Sequence, residues 1–195
     1  MTINSKKGIE THTVTLHVGL GTFKNISEED IRDYVMHAER AEIPVSIFET
    51  IAMRKQEQKN ILAVGTTVTR TLESLPYLWN LIRDDIDCST EVREFWNQKT
   101  LVREVNPLSS VSFSPDRKTL FFRSALFIYG EYPFQVVDEI ITNFHLPKST
   151  LFILVSSFLG RENAQEAYRY AIEHMYRFFS FGDAMYLKKS KNEVS

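Results

Sequence analysis

The sequence predicts an α/β domain with three layers, built on a central sheet of mostly parallel or mixed strands. Three observations predict it. Apolar and β-branched runs of strand length recur at Thr11 to Val18, Ile61 to Val64 and Leu120 to Tyr129. Two of them close on glycine, Gly19 and Gly65. The second then passes straight into Leu72, Leu75 and Leu78, which repeat at helical spacing. Strand, tight turn and helix in alternation build a parallel sheet with helices on its faces. All 195 residues read as one such domain, with an insertion at about 84–120.

In order, Thr11 to Val18 reads as a buried strand and Gly19-Leu20-Gly21-Thr22 as a turn. Its two glycines serve either a tight turn or close approach of the backbone to a ligand. Ser27 followed by Glu28, Glu29 and Asp30 reads as a helix start toward Tyr34. Glu39 to Ile43 fits a short strand. Ser46 and Glu49 form a capping-box pattern for a helix to about Gln58, whose charged end reads as a solvated surface. After the strand Ile61 to Gly65, Thr66 and Thr67 open the next helix. They act there as a simple N-cap or, with Arg70 one turn on, as donors to an anion. The insertion carries Trp79, Phe95 and Trp96 nearby, then the turn signals Asn106-Pro107 and Ser114-Pro115-Asp116, so a small helix and a hairpin are expected.

Leu120 to Tyr129 and Phe134 to Val137 read as extended segments leading to a polar elbow, Thr142-Asn143-Phe144-His145. Ser149 is expected to cap a helix to about Leu159, and Gly160 to end it. A last helix starts near Asn163, with Ala167, Tyr168, Ala171, Ile172 and Met175 on one side. Phe178 to Phe181 and Ala184 to Leu187 read as extended, and Lys188 to Ser195 as a polar tail.

Net charge is −2, so composition gives no general signature of nucleic-acid binding. One cysteine, Cys88, excludes an internal disulfide and a cysteine-rich metal cluster, and fits the cytoplasm. No apolar run reaches the ~18–20 residues of a membrane span, and Met1 to Glu10 lacks the apolar stretch of a signal peptide. Entering so soon on a core strand, the chain reads as the later part of a longer fold. His17, His37 and His145 fall at or beside strand ends, without metal-ligand spacing. Asp138 follows an apolar β run, which would place it near the carboxyl edge of a sheet, and Asp183 follows Gly182 in a turn. These carboxylates and histidines suit general acid–base work, or else turn formation and ion pairing. Ser156, Ser157 and Ser180 lack the Gly-x-Ser-x-Gly elbow of serine hydrolases.

Several blocks resemble the S-adenosylmethionine:tRNA ribosyltransferase-isomerase family of queuosine biosynthesis. They are Thr15 to Phe23, Met36 to Glu39, Ala63 to Thr67 with Arg70 to Ser74, Phe127 to Tyr129, Val136 to Asp138, Thr142 to Thr150, Val155-Ser156, Gly160 to Asn163, and Arg177 to Met185. They are collinear over nearly all of Thr13 to Leu187 except the insertion. The resemblance implies transfer and isomerisation of the ribosyl part of S-adenosylmethionine onto a deazaguanine in a tRNA anticodon loop; a monomer without a metal is expected. That chemistry needs a base beside the sulfonium, help for departing adenine, and donors for the ribose. Candidates for proton transfer are His17, His37, Asp138, His145 and Asp183. Candidates for holding the S-adenosylmethionine are Gly19, Gly21, Thr66, Thr67, Arg70 and Asn143, with Arg161 as a second cation for an anionic group. The chain departs from the family in four places, one of them a longer segment around Asp84 to Thr119. It lacks the family's β-barrel domain and upstream half. It has Tyr129-Gly130-Glu131-Tyr132 for Tyr-Pro-Gly-Tyr, and Thr66 to Arg70 for Thr-Thr-Ser-Val-Arg. Two outcomes are therefore expected of it: a catalytic part active with the missing portion, or a non-catalytic binding or structural remnant. A methyltransferase is disfavoured, because no Gly-x-Gly-x-x-Gly follows the first strand.

Overall fold

The computed structural model describes residues 8–17, 19, 31–102 and 106–189. The fold is mixed α/β, with its strands divided between two sheets rather than gathered in one. Among the described residues neither sheet closes into a barrel. The first sheet is antiparallel in the order β1 (Thr15–His17), β2 (Glu39–Pro44), β5 (Thr119–Ser124), β4 (Leu108–Phe113). Strand β2 buries Glu39, Ala41 and Ile43 on one face, and β5 buries Leu120 and Phe122 beside them, the period-two pattern of a half-buried sheet. Strand β1 lies at the edge and exposes Thr15 and His17, where a buried strand was expected.

The expected helix and hairpin of the 84–120 stretch are present. Helix α4 (Thr90–Asn97) starts at Ser89, whose hydroxyl accepts from Val92 N. The earlier helices are α1 (Ile47–Gln56), α2 (Thr66–Glu73) and α3 (Leu75–Ile82). Trp96 of α4 donates from its indole to Phe48 O of α1 at 2.9 Å, and the two rings meet edge to face at 5.1 Å. In the β4–β5 hairpin Ser114 and Asp116 tie the turn, and Arg117 takes φ 56. Because β5 is an interior strand, this stretch shares the core of its neighbours.

The second sheet positions the candidate site. Its order is β3 (Leu62–Val64), β6 (Glu139–Asn143), β7 (Ala184–Lys188); β3 runs parallel to β6 and β7 antiparallel. Helices α5 (Thr150–Leu159) and α6 (Arg161–Glu173) follow β6. Ser149 caps α5 as expected, accepting from Phe152 N at 3.1 Å. Gly160, at φ 85, ends α5 and also starts α6, two residues earlier than expected.

Several local expectations are corrected. Ser46 has helical φ/ψ and makes no side-chain cap, so the capping box does not form. One expected helix after Gly65 is two, broken at Ser74, with Pro76 in the first turn of the second. Leu126 to Tyr129 and Phe134 to Val137 are irregular, although Leu126, Ile128, Phe134, Val136 and Val137 are buried. Strand β6 begins beyond them, at Glu139. Phe178 to Phe181 forms turns, not an extended segment. The helix start expected at Ser27 to Asp30 lies outside the described residues; only a 3-10 turn at Ile31–Asp33 follows it.

Candidate active site

Parallel strands β3 and β6 end together, with Val64 opposite Ile141. Gly65 then turns the chain at φ 101, a conformation that strains any residue with a Cβ. Its N–H donates to Ile141 O at 2.7 Å, and Thr66 becomes the first residue of α2. On the neighbouring strand Thr142 and Asn143 finish β6, and Phe144 and His145 lead out of it. Strand β7 starts at the same edge, with Ala184 opposite Asn143. Thr66, Thr67, Asn143, His145 and Asp183 therefore share the carboxyl edge of the β3–β6 pair. Open α/β sheets bind ligands at that edge.

The best-defined group there is His145. Its Nε2 lies 2.9 Å from Thr142 Oγ1, and its backbone N–H donates to the Tyr168 hydroxyl at 3.0 Å. Tyr168 comes from α6 and is buried, with its ring edge-on to Phe144 and Phe152. Burial lowers the imidazole pKa from 6.5 to about 4, so His145 is neutral at pH 7. The same burial pushes the Tyr168 hydroxyl up to about 12. Asn143 donates from its amide to Gly182 O at 3.4 Å and Asp183 O at 3.3 Å, holding the turn before β7 against β6. Asp183 accepts from Arg177 N at 2.7 Å and from Arg177 Nη2 at 3.2 Å. Those bonds keep its carboxyl below the ordinary aspartate range.

A cleft of about 150 Å³ opens here, lined by Asn143, Phe144, His145, Leu146, Ser149, Leu151, Phe179 and Ser180. Sites that enclose a whole drug-sized ligand measure ~300–1,000 Å³, so this one holds only a fragment of such a molecule. Its lining is mostly apolar; a neutral imidazole, an amide and the Ser180 hydroxyl offer hydrogen bonds and a proton acceptor with no fixed charge, while the Ser149 hydroxyl is taken up by Leu146 O and Phe152 N. Among the described residues no group of acidic, histidine or cysteine side chains is arranged to hold a metal ion.

The remaining candidates lie elsewhere. Asp138 sits before β6, at the amino edge and not the carboxyl edge expected for it. Four residues of strand separate it from Thr142, roughly 13 Å at ~3.3 Å per residue. Its carboxylate accepts from Ile61 N at 2.8 Å and pairs with Lys55 Nζ at 2.6 Å. It fastens β6 to the start of β3. His17 is exposed on edge strand β1 of the other sheet, 2.9 Å from Glu42. Gly19 follows that strand, Gly21 lies outside the described residues, and His37 is exposed just before β2. Arg70 is buried and pairs with Glu39, so α2 is tied to β2 and the guanidinium is already neutralised. Arg161 is exposed at the first position of α6. Sequence reasoning did not single out Tyr168, Phe179 or the Thr142 hydroxyl as site residues. Tyr168 showed only core periodicity, and nothing local joins it to a histidine 23 positions away.

The model of the queuosine biosynthesis protein family matches residues 2–187. Among solved structures, the S-adenosylmethionine tRNA ribosyltransferase of Thermotoga maritima is 32% identical, with a TM-score of 0.61. The match covers 93% of this chain and 46% of that one, so this chain spans about half the length of that relative.

Proposed function

Because the chain belongs to the queuosine biosynthesis protein family, we propose that it is the S-adenosylmethionine-binding part of a tRNA-modifying transferase. The complete enzyme transfers the ribosyl moiety of S-adenosylmethionine to 7-aminomethyl-7-deazaguanine in a tRNA anticodon loop. Adenine and methionine leave, and the ribose is isomerised to give epoxyqueuosine. The compartment is the cytoplasm, where tRNA is processed, and the chain acts as a monomer alongside the portion that its relative carries in addition.

The observation that carries this reading is the His145–Thr142 pair at the carboxyl edge of β6, beside a mostly apolar cleft with a few polar groups. His145 is neutral, and in the tautomer whose Nε2–H donates to Thr142 Oγ1 the ring is held and Nδ1 keeps its lone pair for a proton next to the sulfonium. Asn143 braces the loop that closes the cleft, and Asp183 locks the same loop through Arg177. Thr66 and Thr67 open helix α2 at that edge and supply N–H donors to the ribose or the methionyl carboxylate. His17, Asp138 and Arg70 serve the framework through Glu42, Lys55 and Glu39. The smallness of the cleft accords with a donor site completed by a second portion of polypeptide.

Calorimetric titration of the chain with S-adenosylmethionine tests this. Micromolar binding that weakens at least about tenfold in Thr142→Val is expected. Absence of binding up to about millimolar ligand sinks the reading. Full activity is then read by nucleoside mass analysis of precursor tRNA after addition of the relative's remaining portion. A second reading, a non-catalytic binding or structural remnant, is favoured by the dispersal of His17 and Asp138 away from His145. It predicts a folded chain with no affinity for S-adenosylmethionine.

A further inference from the structure

The loop from Tyr176 to Asp183 is firmly built, yet it holds two large rings out in water. Phe179 N donates to Phe144 O at 3.1 Å, Gly182 N to Phe179 O at 2.8 Å, and Asp183 N to Arg177 O at 2.8 Å. Asn143 and the Arg177–Asp183 pair add side-chain ties. A Cβ at Gly182 would lie 2.3 Å from Arg177 O, so the turn closes only around glycine. Phe178 points inward, its ring 5.3 Å from that of Phe144. Phe179, in contrast, takes φ 70, an outlier for a bulky residue, and is 59% exposed. Phe181 is 98% exposed. Backbone strain held in place by its surroundings, and rigid exposed aromatics, both mark surfaces prepared for a partner.

The position of the rings says which partner. Phe179 and Ser180 line the His145 cleft, whose mostly apolar walls carry a few hydrogen-bonding groups, and Phe181 is the next residue of the chain. Lys148, exposed next to Ser149 of the cleft lining, adds a cation nearby in the chain. An unpaired base is the ligand that brings a flat apolar face, polar edges and a neighbouring phosphate together. A base that enters a cleft for chemistry leaves its stack, and its neighbours lose their stacking partner. Aromatic side chains replace that contact without regard to sequence.

We infer that Phe179 and Phe181 form a stacking platform for an unpaired base adjoining the one that is brought to the donor at the His145 cleft; this rests on the tRNA-modifying reading above. The test is a titration of the full chain into a hairpin RNA carrying 2-aminopurine in its loop, followed by the fluorescence of that base. Saturable quenching is expected, with affinity weakened about tenfold in Phe181→Ala and restored in Phe181→Trp. Phe181 touches so little that its replacement leaves the fold intact, which thermal melting confirms. Equal affinity of wild type and Phe181→Ala overturns the platform, as does absence of RNA binding up to about millimolar strand. Loss of self-association in Phe181→Ala, with RNA binding unchanged, also overturns it and assigns the rings to a polypeptide. Binding of S-adenosylmethionine is measured separately. A chain that takes S-adenosylmethionine but shows no Phe181 effect loses the platform and keeps the donor site.

Discussion

At the scale of single residues, His145 is where burial and chemistry meet, and its titration is open to measurement. Its folded pKa of about 4 lies below the ordinary 6.5. Between these values the unfolded chain binds a proton that the folded chain does not. Stability is therefore full above about pH 6.5 and falls as pH drops toward 4, by on the order of 2–3 kcal/mol at ~1.4 kcal/mol per unit. Urea unfolding from pH 7 to 4 should show that slope, and His145→Gln should flatten it. An unchanged slope in the variant would place the titrating group elsewhere. The second residue-scale prediction concerns Arg70 and Glu39, both buried and paired. Removing one partner strands a charge, so Arg70→Met should cost about 3–5 kcal/mol. The double variant Arg70→Met with Glu39→Met should recover most of that, and a purely additive double-mutant cycle would refute the coupling. In the sequence Arg70 read as a cation one turn into a helix, free for an anion. Its partner lies 31 positions earlier, beyond any local pattern.

Among the elements, β6 and the segment before it show what hydrophobic pattern does and does not say. Phe134 to Val137 is more apolar than Glu139 to Asn143, and reads as the strand. The segment is buried but irregular, because its backbone donors find a side chain instead of a neighbouring strand. Glu73, at the end of α2, accepts from Gln135 N at 3.0 Å, Val136 N at 3.0 Å and Val137 N at 2.8 Å. Burial pushes this carboxyl upward, and the three N–H bonds oppose the shift. The apolar pattern of the segment rightly predicted burial; its shape depended on a residue more than 60 positions away. Glu73→Ala leaves three donors without that acceptor, those of Val136 and Val137 buried and that of Gln135 part-buried. A loss of about 3–5 kcal/mol is expected in urea unfolding, with faster amide exchange at 135–137. A loss under about 1 kcal/mol would show that water replaces the carboxylate freely. The elbow after β6 was legible for a different reason. Thr142, Asn143, His145 and Ser149 are neighbours in the chain, so their proximity needed no knowledge of the fold.

For the whole molecule, the α/β class was legible, because strand and helix periods alternate along the chain. The division of the strands between two sheets was not, since period alone does not say which strands pair. Sheet β3-β6-β7 buries Ala63, Ile140 and Leu187 in one cross-strand row on its packed face. The next row, Val64, Ile141 and Tyr186, lies on the opposite face, where Val64 is 63% and Tyr186 58% exposed. Strand alternation makes the two faces one residue apart in sequence, so substitutions at adjacent positions probe them separately. Val64→Lys should leave stability within about 0.5 kcal/mol, because the lysine stays in water. Ala63→Lys places a charge in packed hydrocarbon and should cost more than about 3 kcal/mol, or abolish folding. Circular dichroism melts of the two variants decide the matter: similar large losses would mean that the Val64 face is covered in solution.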